Sequence, residues 1–301
     1  MPALPDVLAG NAANAPTSLQ PVAVLVGGTS GVGRGVAEVL AKYTKGSAHL
    51  VLIGRNKSAA DEIIAGLPAP ANGGKYEFVQ CDVSSMRNVG AVTRELSERL
   101  GKINYLVLSA GYLSLAGYTP TEDGVDRKLA VHYYSRFKFA RDLVPLLEKA
   151  AGAGEPARVL TVLDSTHGGP IHFDDMNLEK HYSAAQAAAV GCTYNDAAVA
   201  ALAKRYPTVS FTHAYPGLVN TGIFKSLPFG LRHISAALAP VLGTSIETCG
   251  ENMVYSLFDH KLATGAHSRN HKGDDVPRNN NITDDVVEKV WEHSVAVCDG
   301  K

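Results

Sequence analysis

No stretch of this chain approaches the roughly 20 consecutive apolar residues that a membrane-spanning helix needs, so a transmembrane segment is not expected. Neither sign of charge dominates: 28 Lys and Arg stand against 29 Asp and Glu, a net charge of −1. That balance removes the basic footprint of a nucleic-acid binder and the polybasic anchor of a membrane-surface protein. Cysteine is scarce. Cys81, Cys192, Cys249 and Cys298 lie far apart and form no CxxC pair. The N-terminus, MPALPDVLAGNAANAPTSLQ, lacks the positive start and apolar stretch of a secretory signal. The four cysteines therefore read as reduced thiols, and the protein as cytoplasmic.

What is present is enough apolar material for a large core, 46% of 301 residues. The first twenty residues are rich in Ala, Pro and Asn and are expected to form a flexible arm, 1–20. Short apolar runs then follow at 21–28, 48–55, 75–83, 103–111, 157–165 and 209–217. Helical spacing separates them, at about 35–46, 57–66, 85–100, 125–150 and 183–205. Near-continuous apolar strands alternating with helices predict a parallel sheet covered on both faces. The fold class is α/β, a Rossmann-type doubly wound parallel sheet, in a single domain over 21–301. Residues 222–301 show no strong strand pattern until about 264 and are expected to form a substrate lid and a C-terminal cap, with helices near 245–258 and 284–297. Phe224, Leu227, Phe229, Leu231 and Ile234 would line an apolar substrate pocket or bury a lid helix.

The first strand runs into GGTSGVGRG (27–35), and a helix follows. Gly27 suits a tight turn, Gly31 lets backbone approach a pyrophosphate, and Gly33 lets the helix pack close to the sheet. Free N–H groups at the helix mouth, around Thr29, Ser30, Gly31 and Val32, would take the phosphates.

The glycine spacing is G-x-x-x-G-x-G. With the rest of the layout it resembles the short-chain dehydrogenase/reductase family over residues 21–222. The family's Asp-Val after the third strand stands here as Asp82-Val83. Its Asn-Asn-Ala-Gly after the fourth strand survives as Leu108-Ser109-Ala110-Gly111. Its Pro-Gly-x-Val-x-Thr after the sixth strand is intact as Pro216, Gly217, Val219 and Thr221. The resemblance implies that these segments hold a nicotinamide dinucleotide. Within the family, RKLAVHYYSRF (127–137) and HAYPG (213–217) look most like filamentous-fungal members, which suggests secondary metabolism. An NAD site carries an acidic residue at the end of the second strand. Here that strand ends Gly54-Arg55-Asn56-Lys57. Arg55 would pair with a 2′-phosphate, Ser30 could add a hydroxyl, and the cofactor is expected to be NADP(H). The bland alternative is that Arg55 is a solvated loop cation.

The resemblance also implies a proton-transferring Tyr, a Lys four residues later, a Ser at the end of the fifth strand and an Asn after the fourth. This sequence departs at three of the four positions. In HYSAAQ (181–186), Tyr182 matches the tyrosine and Gln186 replaces the lysine. A cation about 5 Å from the phenol, at an effective dielectric near 20, is worth about 3 kcal/mol, or roughly two pKa units. Without it Tyr182 is expected to titrate near its ordinary value and to be a poorer acid. A one-turn register shift would instead put Gln186 in the tyrosine's place, with Tyr194 further down. Asp164 takes the serine's position, with Ser165 beside it. Asp164 either caps the STHGG turn or stabilises a cationic substrate, and Ser165 could serve in its stead. His132 takes the Asn position, as a relay or as a bonded core histidine.

The two histidines His267 and His271, beside Asp274 and Asp275, lack a helix to fix metal-ligand spacing, so no metal is assigned. The main reading is an NADP(H)-dependent oxidoreductase moving hydride to or from a carbonyl, imine or alcohol of a small, bulky apolar molecule. The alternatives are a non-redox cyclase, isomerase or lyase using Asp164, His132 and Tyr182, or an inactive dinucleotide-binding protein. Relatives commonly pair through the helices after the fourth and fifth strands, which implies a homodimer or homotetramer.

Overall fold

The computed structural model describes residues 3–223, 243–277, 279 and 282–300. Seven parallel strands are ordered β3-β2-β1-β4-β5-β6-β7. They are β1 Val22–Val26, β2 His49–Gly54, β3 Lys75–Gln80, β4 Tyr105–Leu108, β5 Arg158–Val162, β6 Ser210–Ala214 and β7 Gly265–Arg269. The order reverses between β1 and β4, so the loops leaving those strands part and open a crevice at their carboxyl ends. Side chains alternate between two buried faces: Val24 and Val26 join one core, Ala23 and Leu25 the other. That is why the central strands β1, β2, β4 and β5 read as nearly unbroken apolar runs, whereas β3, KYEFVQ, is a half-exposed edge strand. β7, GAHSR, is a half-buried edge strand, which explains its weak pattern.

On one face lie α2 (Gly31–Tyr43), α3 (Lys57–Gly66) and α8 (Ile246–Phe258). On the other lie α4 (Met86–Arg99), α6 (Ser135–Gly152), α7 (Ala184–Arg205) and α9 (Asp284–Cys298). A short α5 (Arg127–Leu129) leads into α6 through one π turn, Ala130–Tyr134. The four cysteines are free and buried. No helix among the described residues is long and apolar enough to cross a membrane.

The N-terminal segment differs from the expected arm. Leu4–Asn14 form helix α1 with Val7 and Asn11 buried. Asn11 Nδ2 donates to the Glu251 carbonyl at 3.0 Å and to its Oε2 at 2.8 Å, and Lys42 of α2 closes the triad at 2.8 Å from Glu251 Oε1. These partners lie more than 200 positions away, so local composition could not announce them. The C-terminal helices form where the spacing places them. The apolar lid residues Phe224, Leu227, Phe229, Leu231 and Ile234 lie outside the described residues.

Helix α9 packs along α7 and against the π turn and first turns of α6. Trp291 meets Phe137 edge-on at 5.2 Å, and the Arg205 guanidinium lies 4.0 Å above the Trp291 ring. Ser294 and His293 bond the hydroxyls of Tyr133 and Tyr134, and Arg205 pairs with Glu288.

Candidate active site

A cleft of about 710 Å³ opens at the carboxyl ends of β1, β2, β3 and β4. Gly27, Thr29, Ser30, Gly31, Val32, Arg55, Asp82, Val83, Ser109, Ala110, Gly111 and Thr221 all line it. Twelve residues from five separate segments of the chain thus converge on one cavity. Gly27 has φ +89°, and a Cβ there would lie 2.5 Å from the Ala110 nitrogen, so the turn after β1 admits glycine alone. A Cβ on Gly33 would lie 2.5 Å from both the Gly27 carbonyl and Ser109 Oγ. Gly33 therefore sits behind the cleft and sets how closely α2 approaches the sheet.

The mouth of α2 is left open. The side chains of Asn56, Ser85, Ser183, Ser245 and Thr283 each cap their helix by accepting a backbone N–H. Ser30 makes no such bond on α2. Among the described residues no side chain accepts from those N–H groups, which face the cleft with the positive end of the helix dipole. The residues present thus fit a dinucleotide pyrophosphate. Asn56, expected in the site, instead caps α3 by accepting from Ala59 N. Pro216, Gly217 and Val219 shape the loop that delivers Thr221: Val219 is buried and bridges to Thr244, and Gly217 lies under the His271 ring.

Eight lining residues were not among those expected, and Tyr112, Arg127 and Val131 are the ones that bear on the chemistry. Tyr112 follows Gly111 directly, and an aromatic immediately after the β4 glycine was the available signal. Arg127 and Val131 are four apart at the start of α5, hence on one face. Asp82 is buried in part, which works against ionisation. The Ser84 N–H and hydroxyl bonds, and then the charges of Arg55 and Arg127, hold its carboxyl below the usual range.

The five catalytic candidates do not line this cleft. Tyr182 lies just before Ser183, the N-cap of α7. Its ring meets Tyr118 edge-on at 5.7 Å. Burial, then the Asp126 carboxylate and Tyr112, push its phenol up to about 12. That exceeds the ordinary value expected from losing a lysine alone. Gln186 turns away and donates to the Pro170 carbonyl at 3.1 Å. Tyr194 is wholly buried, its hydroxyl on the Met176 carbonyl, so it is a core residue and not a displaced proton donor.

Asp164 caps its turn. Its Oδ1 accepts from Thr166 N at 2.9 Å and His167 N at 3.2 Å, and its Oδ2 sits 2.9 Å from His167 Nδ1. Although burial opposes it, the Thr166 and His167 bonds keep the carboxyl below its usual range. Ser165 is buried with its hydroxyl donated to the Arg269 carbonyl at 2.6 Å, so it ties the loop to β7 and does not swing toward a substrate. His132 Nε2 accepts the Tyr112 N–H at 3.1 Å. Burial, then Arg136 and Lys128, push the ring down to about 3. The ring is thus held neutral near neutral pH, with its Nε2 lone pair already engaged and its proton on Nδ1. Its carbonyl is occupied too, accepting from Asn195 Nδ2 at 3.0 Å.

Two buried cations hold the floor of the site. Arg136 donates to the carbonyls of Ala110 and Val162, each at 2.8 Å, tying the ends of β4 and β5 together. Lys128 donates to the Ser114 and Ala184 carbonyls at 2.9 and 3.2 Å, strapping the loop after β4 to the start of α7. His267 and His271 go to different places, the Thr264 carbonyl and the Tyr215 ring.

A family model described as short chain dehydrogenase matches residues 21–229. Oxidoreductase AN1596 of Emericella nidulans is 35% identical over 68% of this chain, and the chain spans 60% of that relative's length. Oxidoreductase andH of Emericella variicolor is 30% identical over 85% of this chain and 74% of its own. Among solved structures, a short-chain dehydrogenase/reductase from Serratia marcescens superposes with a TM-score of 0.62 at 16% identity, covering 83% of this chain and 95% of its own. The match spans the cofactor cleft, the tyrosine-bearing helix start and all strands but the last. The chain belongs to the short chain dehydrogenase family of dehydrogenases and reductases.

Proposed function

We propose that the protein is an NADP(H)-dependent oxidoreductase that reduces a carbonyl or imine of a small apolar molecule, with alcohol oxidation as the slower reverse. The observation that carries this reading is the uncapped mouth of α2 sharing one cavity with Arg55, while no carboxylate ends β2. The bound nicotinamide would supply or accept the hydride. The chain's own residues do the rest. The α2 amides and Thr221 hold the phosphates, Arg55 the adenosine end, and Arg136 and Lys128 fix the loops around the reacting end. Tyr182 serves as proton donor. A phenol near 12 stays protonated at neutral pH, so the donor form is the populated one although it is a weaker acid than an ordinary tyrosine. The phenolate that alcohol oxidation needs is scarce there. An iminium needs no proton to accept hydride, so imine substrates depend on Tyr182 least.

An apolar substrate is supported by the sheet's carboxyl edge. Leu115, Leu218 and Ile223 are large, exposed apolar side chains on the loops after β4 and β6. The non-redox alternative needs His132 and Asp164 as proton carriers, and both are committed to other partners.

Arg55→Asp tests the cofactor reading. Charge-assisted bonds to a phosphate are worth about 1.5–3 kcal/mol, so NADPH affinity should fall roughly 10- to 100-fold. NADH affinity should hold or improve, and fluorescence titration reads both. An unchanged parent that binds NADH more tightly than NADPH would refute it.

The family resemblance implies pairing through α6 and α7. Here α9 packs on α7 and on the first turns of α6, with its Trp291 between Phe137 of α6 and Arg205 of α7. We read α9 as filling a partner's place within the same chain. Light scattering should then give a monomer of 31.7 kDa, and a dimer mass at micromolar concentration would defeat that reading.

A further inference from the structure

The cleft is lined by a second cation besides Arg55. Arg127 opens α5 directly after Asp126, whose carboxylate caps that helix by accepting the Lys128 and Leu129 N–H groups. Val131, one helical turn on, lines the same cavity, so this face of α5 is a wall of the cleft. Arg127 and Arg55 therefore approach from different elements, one from the helix after β4 and one from the end of β2. Neither guanidinium has an ion-pair partner within 4 Å among the described residues. Both lie close enough to act on the same two groups, the Asp82 carboxyl and the Tyr112 phenol. Arg55, Asp82 and Arg127 are the only charged residues among those lining the cleft. Two guanidiniums against one carboxylate leave a net positive charge there. Asp82 is moreover occupied by Ser84, through N–H and hydroxyl bonds of 3.0 and 2.8 Å to its Oδ1. A cavity arranged in this way has more cationic capacity than the protein itself uses.

We propose that Arg127 is the second jaw of a two-sided clamp on the cofactor's 2′-phosphate, closing from α5 against Arg55 on β2. This rests on the NADP(H) reading and adds a specificity-determining residue to it. A phosphate monoester offers three oxygens, so two planar guanidinium forks can each engage it without competing. Arg127 is exposed and, among the described residues, its side chain makes no hydrogen bond or ion pair, so its removal is expected to leave the fold intact.

The test uses binding alone, on the full-length protein, with 2′,5′-ADP and 5′-ADP as probes beside NADPH and NADH. Calorimetry of Arg127→Ala is expected to show about tenfold weaker binding of 2′,5′-ADP and NADPH, the size of one lost charge-assisted contact, with 5′-ADP and NADH within about twofold. Arg127→Lys should recover part of the loss, since it keeps the charge and loses the fork. In the double variant with Arg55→Ala the losses should fail to add, because both groups grip one phosphate. Equal losses for the phosphorylated and unphosphorylated probes would mean that Arg127 stacks on adenine, which overturns the clamp. A full effect of Arg55→Ala with none from Arg127→Ala would also overturn it while sparing the NADP(H) reading. No preference for 2′,5′-ADP in the parent protein would sink both. Melting temperatures matching the parent would exclude unfolding as the cause of any loss.

Discussion

Tyr182→Phe should lower the rate of carbonyl reduction by about 10²- to 10⁴-fold, the range expected when a positioned general acid is removed. NADPH affinity should stay within about twofold, because Tyr182 is absent from the residues lining the cofactor cleft. The phenylalanine ring keeps the edge contact with Tyr118, so the loss belongs to the hydroxyl and not to packing. The pH profile gives an independent reading. With the phenol pushed up to about 12 by burial, Asp126 and Tyr112, the acid form prevails across the neutral range. Reduction should therefore show no alkaline limb from this group below about pH 10. Alcohol oxidation needs the phenolate, roughly one part in 10⁵ at pH 7, and should climb about tenfold per pH unit. Steady-state rates in both directions between pH 6 and 10 check this. A bell centred near neutrality, or a Phe variant as fast as the parent on a carbonyl substrate, would remove Tyr182 from the chemistry.

Gly33→Ala should damage both stability and cofactor binding. The new methyl would meet the Gly27 carbonyl and Ser109 Oγ, each 2.5 Å away; the backbone carbonyl is held by the sheet, and the hydroxyl can turn aside only by leaving the Val26 carbonyl it bonds at 3.1 Å. Gly27 N bonds the Ile53 carbonyl at 2.9 Å, and Ser109 N bonds that of Val26 at 2.8 Å, so both belong to the sheet's own ladder. Helix α2 cannot tilt away freely either, because α8 packs along its far side at the Gly35–Gly250 crossing. Overpacking of this kind costs about 1–3 kcal/mol. The melting temperature should fall by roughly 2–4 °C per kcal/mol or somewhat less for a chain of this length. NADPH affinity should fall at least about tenfold, since the amides that would take the pyrophosphate ride on the displaced helix. Calorimetry with NADPH and a thermal melt measure the two effects. Parent-like affinity would mean that the α2 mouth does not hold the cofactor.

The sheet was legible in the chain because buried parallel strands leave long apolar runs, and 21–28 or 103–111 could hardly be anything else. The cofactor wall was legible for a related reason. Its groups are backbone, and glycines mark where backbone must come close. Side-chain chemistry was harder to read, since partners decide it. Asp164 stands where the family places a serine, but three residues downstream His167 and Thr166 absorb its carboxylate. The state of the His132 ring depends on the Tyr112 N–H that its Nε2 accepts, twenty positions away. Arg127 looks like an ordinary helix-start cation, and only the fold brings it to the same cleft as Arg55. Tyr182 shows the same limit. Its match to the motif is legible, yet the acidity of its hydroxyl is set first by burial and then by Asp126, 56 positions earlier.

Helix α1 has a practical bearing on how this protein is handled. The recognisable oxidoreductase region begins at residue 21, so a gene trimmed to that boundary would lose Asn11. Glu251 would keep Lys42 but lose the amide on its other oxygen, inside a surface that is then newly wet. Because α8 leans on α2, loosening at that seam would travel toward the nucleotide's seat. Clones intended for ligand work therefore need the leading helix left in place, even though nothing in it touches the cleft.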